Sequence, residues 1–287
     1  MSFFQPSAII PPGIRSAEFR VGLATLQILL RGALSGAYIG MGAGLVFFVS
    51  TGMDLTLGSG FARLIGGAVF PLGIILTVLT GAELFAGDGM LTLLAAFRRR
   101  ITLPYIIRFY ILVWIGNLIG ALFFAALITY GPFLMTDASG SLIVTPAGVA
   151  AVSMAAAKCT PAGLTGFFSL LVKAVICGWL VNIAVLLALC ADDLAGKFMG
   201  VWFPMMTMMA TGHEFAVANM MMIPAGILVA AHLTPIQVAQ VGPDIASLGF
   251  SEMWINLIGV SIGNLLGGIL FAVLIFGSLL RPNFYKT

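Results

Sequence analysis

Four ionisable residues lie deep inside apolar stretches of this sequence. Glu83 and Asp88 occur in "TGAELFAGDGML", and His213 and Glu214 occur in "ATGHEFAVANMMMIP". One central charge costs roughly 2.5 to 3.5 kcal/mol to insert into hydrocarbon, so each placement calls for a function. A buried carboxylate would repel an anion in a pathway. We therefore favour the interpretation that Glu83 and Glu214 brace the interrupted helices without contacting substrate. The histidine can shuttle a proton near neutral pH or bond to a loop backbone, and both readings stay open.

Basic residues accompany these four groups. Lys158, in "AAAKCTP", is the only charge in its stretch, where it can enrich anions at an outer vestibule or serve as an ordinary loop lysine. Arg31 and Lys173 lie nearer the ends of apolar stretches. Both can pair with the carboxylates of Glu83 and Glu214 or extend toward lipid headgroups.

The remaining reactive residue types do not assemble into a recognisable catalytic or metal motif. Cys159, Cys177 and Cys190 form no CxxC pair, and the chain has only two histidines. No nucleophile and base set is apparent, and a bis-histidine haem site within the bundle is excluded. We therefore expect no enzyme, no catalytic residue, no metal and no cofactor.

The composition places these groups inside a membrane protein. The chain has 61% hydrophobic and 8% charged residues, which leaves too little polar surface for a water-soluble fold. Six apolar stretches reach the roughly 20 residues that cross a hydrocarbon core. They cover residues 23–49, 64–97, 105–130, 164–190, 198–231 and 253–280. The second and fifth are far too long for one straight span, which predicts broken or strongly tilted helices.

The basic residues also predict the orientation. With the N-terminus inside, the cytoplasmic face holds Arg15, Arg20, Arg98, Arg99, Arg100, Arg108, Lys197, Arg281 and Lys286, whereas Arg63 and Lys158 lie outside. Because basic residues near span ends resist translocation, we expect both termini to be cytoplasmic in a multi-pass protein of the cell inner (plasma) membrane. The net charge of +3 comes mostly from this set, so no nucleic acid partner is expected.

An internal repeat organises the chain. "GNLIGALFFAALI" begins at Gly116 and "GNLLGGILFAVLI" at Gly263, while "VFP…TGAE" and "WFP…TGHE" recur in the same order. A third match aligns Arg31 with Lys173 and Gly36 with Gly178. Because each half holds three spans, the second half must enter from the opposite side of the membrane. The fold class predicted is all-α integral membrane, with six transmembrane helices in two inverted three-helix repeats.

This repeat sets the predicted boundaries of one membrane transport domain over residues 1–287. They are a cytoplasmic lead-in at 1–22 without a cleavable signal, a first repeat at 23–130, an exterior connection at 131–163, a second repeat at 164–280 and a cytoplasmic tail at 281–287. Irregular backbone at membrane depth is tolerated only where protein or a watery cavity satisfies it. The two broken helices therefore predict a lined pathway, and their half-helix N-termini favour an anion.

At "TGAELFAG" and "HEFAVANMMMIPAG" the sequence resembles the formate/nitrite transporter family, and the similarity extends over nearly the whole chain. The resemblance implies an aquaporin-like fold, a homopentamer with one pore per subunit, and passage of formate, nitrite, hydrosulfide, acetate or lactate. It also implies roles for five residues. By position, Leu84 and Phe85 match the loop that narrows the pore, Lys158 a vestibule lysine, Glu214 an acidic residue beside the pore centre, and Asn219 an asparagine that orders the fifth-helix break.

Three departures from the family pattern concern the substrate pathway. Ala86 stands where the family usually has threonine or asparagine, and Gly178 where it has asparagine, although Asn182 one turn away can partly substitute. Phe215 occupies the position of the family's central histidine, and His213 lies two residues earlier. Two residues on a helix point about 200° apart, so His213 is equivalent only if the backbone is not helical there.

These observations predict a channel or transporter for small monovalent anions or their conjugate acids, in a lipid bilayer and linked to protons. An anion cannot cross a dry apolar constriction as a bare charge, so a proton from water or His213 would neutralise it near Leu84 and Phe85. The alternative is a facilitator of neutral small solutes such as water, ammonia or undissociated acid. That alternative is favoured by the apolar residues at the departures, and a purely structural or sensory membrane protein is a further rival.

Overall fold

The computed structural model describes residues 3–6, 8–160 and 163–275. Within them the helices are α1 Ile10–Val21, α2 Thr25–Ser50, α3 Met53–Leu57, α4 Ser59–Val69, α5 Leu72–Thr80, α6 Gly89–Phe97, α7 Leu103–Ile128, α8 Pro146–Cys159, α9 Gly163–Cys190, α10 Leu194–Ala210, α11 Ala216–Ala230, α12 Pro235–Val241 and α13 Phe250–Ile275. A π turn follows α7 and a 3-10 turn follows α12. The predicted tail at 281–287 and the end of the predicted second repeat, 276–280, lie outside the described residues.

Apart from one small hairpin, the described residues form an all-α membrane protein. Five helices of the described residues are long and apolar enough to cross a membrane, namely Thr25–Ser50, Ser59–Thr80, Leu103–Phe133, Gly163–Cys190 and Phe250–Ile275. The fifth predicted stretch is divided between α10 and α11, of 17 and 15 residues. The hairpin pairs β1 Leu134–Thr136 with β2 Leu142–Val144 in antiparallel register within the predicted exterior connection.

Both overlong stretches are interrupted, as the sequence predicts. α5 ends at Thr80 and α6 begins at Gly89, and we call residues 81–88 the first break. α10 ends at Ala210 and α11 begins at Ala216, and we call residues 211–215 the second break. Each break has a left-handed glycine within its first two residues, Gly81 at φ 72° and Gly212 at φ 74°. These glycines occupy the same position of the repeat, so the two breaks share this turn, although the first break is longer than the second.

Close helix packing within each repeat depends on glycines at equivalent positions. A β-carbon on Gly36 of α2 would lie 2.0 Å from the carbonyl oxygen of Asn117 in α7. A β-carbon on Gly178 of α9 would lie 2.0 Å from the carbonyl oxygen of Asn264 in α13. Both spacings are impossible for real atoms, so glycine is required for these backbones to touch. The α2–α7 and α9–α13 pairs are therefore equivalent structural units.

Four helices of the described residues, α1, α3, α8 and α12, lie outside the six predicted stretches, and α1 and α8 each precede one repeat. α1 forms within the predicted lead-in and packs its Ile14 and Ala17 against α6. α8 forms within the predicted exterior connection, starts at the N-cap Thr145, and packs against α11. These two helices each carry a basic residue to one break: Arg20 from α1 and Lys158 from α8.

Candidate functional site

The first break is filled by a four-membered ionic cluster. The Glu83 side chain is fully buried, and its two carboxylate oxygens accept from Arg31 Nη1 at 2.7 Å and from Arg20 Nη1 at 3.2 Å. Arg20 Nη1 also donates to Asp88 Oδ1 at 2.6 Å, and the other Asp88 oxygen accepts from the Leu84 amide at 3.2 Å. Two guanidinium groups thus face two carboxylates, so the first break is balanced in formal charge.

The second break carries a related network with one carboxylate. Glu214 Oε2 accepts from Lys158 Nζ at 2.9 Å and from Asn219 Nδ2 at 2.7 Å. Asn219 Nδ2 also donates to Asn256 Oδ1 at 2.8 Å, and Asn256 Nδ2 donates to the Lys158 carbonyl at 2.9 Å. Three of the predicted site residues, Lys158, Glu214 and Asn219, are therefore brought together. Asn256 completes the network and was not predicted.

An asparagine of α7 fixes the backbone of the first break. The Asn117 amide donates to the carbonyls of Gly32 and Glu83, both at 2.9 Å. Its side-chain oxygen accepts from the Phe85 amide at 3.0 Å. This single buried side chain satisfies two backbone groups of the break and ties them to α2, which meets the requirement that buried backbone groups be paired.

Asn264 of α13 does the same for the second break. It donates to the carbonyls of Ala174 at 2.9 Å and Glu214 at 2.8 Å, and it accepts from the Ala216 amide at 2.9 Å. Sequence reasoning missed both clamps, although Asn117 and Asn264 are the second residues of the two matching "GNL" strings. A polar residue that recurs inside two apolar repeat strings is the signal that would have identified them.

Asn182 of α9 braces the start of α6. Its amide donates to the carbonyls of Ala86 at 3.0 Å and Gly178 at 2.8 Å, and its oxygen accepts from the Met90 amide at 3.0 Å. The side chain is fully buried, and both amide hydrogens are used within the protein. In this arrangement Asn182 positions the first break.

The three apolar residues predicted in the pathway are all buried at the breaks. Phe85 meets the ring of Tyr110 edge to face at 5.7 Å between centroids. Leu84 and Phe215, each directly after the glutamate of its break, occupy equivalent repeat positions and are 3% and 2% exposed. The Phe215 ring packs edge to face against Phe70 at 6.4 Å. A hydrophobic side chain therefore follows the carboxylate in both breaks.

A cavity of about 660 Å³ opens beside the second break, and we call it the vestibule. Its charged and titratable lining consists of Arg63, Lys158, Lys173, His213 and Glu214. The backbone at His213 is not helical. A non-helical backbone is what His213 requires if it is to be equivalent to the position that Phe215 occupies. His213 lines the vestibule, and its Nδ1 has no hydrogen-bond partner in the described structure.

The described residues contain no group of three or more His, Cys, Asp or Glu side chains placed to hold a metal ion. The carboxylates at the breaks bind basic side chains, an asparagine and the backbone. The basic side chains that line the vestibule are suited to drawing a small anion into it.

Comparisons with known proteins agree with this architecture. A family model described as formate/nitrite transporter matches residues 9–277. A probable formate transporter of Methanothermobacter thermautotrophicus is 34% identical over 283 residues, 96% of each chain. The formate channel FocA of Haemophilus influenzae is 34% identical over 88% of this chain and 86% of its own. A solved pentameric formate channel with formate bound superposes with a TM-score of 0.73 at 25% identity, over 90% of this chain and 98% of its own.

Proposed function

The chain belongs to the formate/nitrite transporter family, and on that premise we propose that it passes small monovalent anions or their conjugate acids across a membrane. The candidates are formate, nitrite, acetate, lactate and hydrosulfide. The observation that carries the proposal is the vestibule beside the second break, where Arg63, Lys158 and Lys173 accompany a single carboxylate, Glu214. Such a basic, partly enclosed cavity raises the local concentration of anions.

Passage beyond the vestibule requires that the charge be neutralised. Moving a bare anion into a low-dielectric constriction costs many kcal/mol, and Leu84, Phe85 and Phe215 present apolar side chains at the breaks. A proton from water or from His213 converts the anion to its neutral acid at the constriction. The neutral acid crosses and releases its proton on the other side, so net transport is linked to the proton gradient.

The assembly and location form part of the same proposal. The matched solved structure is a pentameric formate channel, which supports a homopentamer with a pathway in each subunit. The apolar spans and the bias of basic residues support a single multi-pass domain in the plasma membrane with both termini cytoplasmic. On this topology the vestibule opens outward and the ionic cluster of the first break lies toward the cytoplasm.

Radiolabelled flux into proteoliposomes tests the proposal. The purified full chain is reconstituted, and uptake of formate, nitrite, acetate, lactate and hydrosulfide is compared with empty liposomes. An inward proton gradient should accelerate uptake of the permeant anion, because it supplies the neutralising proton. Uptake that ignores an imposed proton gradient would reject protonation as the enabling step, and absence of uptake for the whole panel would reject the transport function.

A facilitator of neutral solutes is the second candidate, and the position of Phe215 favours it. Phe215 is buried against Phe70 at the position where the family resemblance calls for a histidine, so no titratable side chain stands there. Stopped-flow swelling with ammonia, water or undissociated acid distinguishes this candidate. His213→Phe should leave neutral permeation intact but reduce proton-linked anion uptake.

A further inference from the structure

The basic residues of the vestibule are not equivalent. The Lys158 ammonium is held at 2.9 Å from Glu214 Oε2, and both side chains are largely buried, at 13% and 12% exposure. A paired ammonium has little net charge to offer an anion at a distance. The Lys158 carbonyl is also bonded to Asn256, which fixes the end of α8. Lys158 is therefore engaged in holding the second break together.

Lys173 and Arg63 line the same cavity, and neither is held in an ion pair among the described residues. Among the described residues neither side chain makes an ion pair or a hydrogen bond, and both are exposed. Lys173 lies ten residues into α9, about 15 Å from the start of the helix at 1.5 Å per residue. A lysine ammonium at that depth is costly unless it faces water or a counter-ion. The vestibule supplies water, and an anion would supply the charge.

The repeat explains why Lys173 is left without a partner. Its equivalent in the first half, Arg31, is paired with Glu83 at 2.7 Å. In the second half the equivalent carboxylate, Glu214, is taken by Lys158. The other carboxylate of the first cluster, Asp88, is replaced by the uncharged Asn219 at the same repeat position. The second break therefore has one carboxylate for two basic side chains, and Lys173 is the one that has no carboxylate partner among the described residues.

We propose that Lys173 and Arg63 form an anion-binding site in the vestibule, separate from the Lys158–Glu214 pair. Arg63 lies four residues into α4, about 6 Å from its start, so it stands nearer the rim than Lys173. The site takes small oxyanions, and two unmatched cations also suit a divalent oxyanion such as sulfate. The role of this site in transport rests on the proposed function, whereas its binding of anions does not.

Binding is measured first, without transport. Formate or sulfate is titrated against the detergent-solubilised full chain, and the rise in unfolding temperature is recorded at fixed ionic strength, because ligand that binds the native state stabilises it. Lys173→Gln should raise the apparent dissociation constant about tenfold and Arg63→Gln about threefold, since a charge near the anion is lost. Lys197→Gln, a lysine of α10 outside the vestibule, is the matched control and should bind like the wild type.

Transport is measured second, in proteoliposomes. Lys173→Gln should raise the half-saturating formate concentration about tenfold with little change in maximal flux, and external sulfate should inhibit the wild type but not this variant. Lys173→Arg keeps the charge and should retain near wild-type affinity, which separates loss of charge from misfolding. A Lys173→Gln protein that matches Lys197→Gln in both assays overturns the site. Binding lost in Lys173→Gln while no chain transports any anion would support the site and reject the transport function.

Discussion

The two breaks share a glycine turn and an asparagine clamp but differ in length and in charge. Each has a left-handed glycine within its first two residues, continues with a largely or fully buried glutamate side chain, and is held by an asparagine from the last helix of its own repeat. The first break balances two carboxylates with Arg20 and Arg31, whereas the second has one carboxylate, Glu214, and opens on a cavity. The glycine turn and the asparagine clamp are therefore common to both breaks, whereas the charges differ: two arginines balance the carboxylates of the first break, and the second opens on a cavity with more basic than acidic side chains.

The largest expected effect concerns the shared part of this comparison, the asparagine clamps. Asn117→Leu and Asn264→Leu each leave one carbonyl and one amide of a break unsatisfied, whereas the second carbonyl that each asparagine contacts lies inside a helix and keeps its helical hydrogen bond. At about 1 to 3 kcal/mol for each orphaned group, either change should cost more than about 2 kcal/mol of stability. Thermal unfolding in detergent and the yield of monodisperse protein measure this loss.

Ser139→Ala, in the exposed hairpin turn, is the control and should change neither quantity. If one clamp were indispensable and its counterpart were replaceable without loss, the two breaks would not share one design. The comparison would then reduce to a similarity of sequence.

The shared part of the breaks could be predicted from the sequence, and most of the difference could not. The interruptions follow from length and from glycine, since 64–97 and 198–231 exceed one span and contain "TG" at the same repeat position. The clamps were within reach because Asn117 and Asn264 recur in matching strings. These features are local or periodic, which is why a single sequence reveals them.

Ion pairs between segments that are distant in sequence depend on the tertiary structure, so the internal repeat alone does not predict which basic residues are paired. The repeat related Arg31 to Lys173 and left pairing open for both, but only Arg31 is paired. Lys158 lies 56 residues from Glu214 along the chain, and nothing local indicates that it will exclude Lys173. Arg20, 68 residues from Asp88, belongs to a segment interpreted as a polar lead-in. The spacing of Ile14, Ala17 and Val21, all buried, was the available sign of helix α1.

The second largest effect concerns the ion pairs of the first break. Arg20→Gln leaves Asp88 buried without its cation, and removing one member of a buried pair typically costs 3 to 5 kcal/mol. Because the Arg20 side chain is 26% exposed, we expect roughly 2 kcal/mol instead. Chemical or thermal unfolding in detergent measures the change.

The double variant Arg20→Gln with Asp88→Asn should recover most of that loss, because it removes the orphaned charge together with its partner. Arg100→Gln is the control, since its pair with Glu18 is exposed and 3.6 Å long. A double variant no more stable than Arg20→Gln alone would mean that the arginine acts by packing and that charge balance does not distinguish the breaks.

The third effect tests whether the missing carboxylate at the second break matters. Asn219→Asp gives the second break the residue that the first break has at position 88, placing a carboxylate beside Glu214. The added negative charge next to the vestibule should lower anion uptake into proteoliposomes about tenfold. It should also weaken the network, because the donors to Glu214 and Asn256 are lost.

Asn219→Leu removes the same hydrogen bonds without adding a charge, so it separates the two causes. Uptake should fall further in Asn219→Asp than in Asn219→Leu at low ionic strength, and the difference should shrink as salt screens the charge. Equal uptake by the two variants at every salt concentration would show that the charge difference between the breaks has no part in anion entry.

The smallest expected effect concerns the left-handed glycine near the start of each break. Gly81→Ala and Gly212→Ala force an alanine into the left-handed region, which costs about 1 kcal/mol. A β-carbon at Gly212 would meet no atom within 4 Å, and at Gly81 only Arg31 Nη2 at 3.6 Å, so backbone strain and not steric clash sets the cost. Gly60→Ala in α4 has equal room without the positive φ, and it should leave unfolding temperature unchanged or raise it. Equal losses at Gly81 and Gly212 would confine the divergence between the two breaks to their side chains, whereas a loss at only one would place it in the backbone as well.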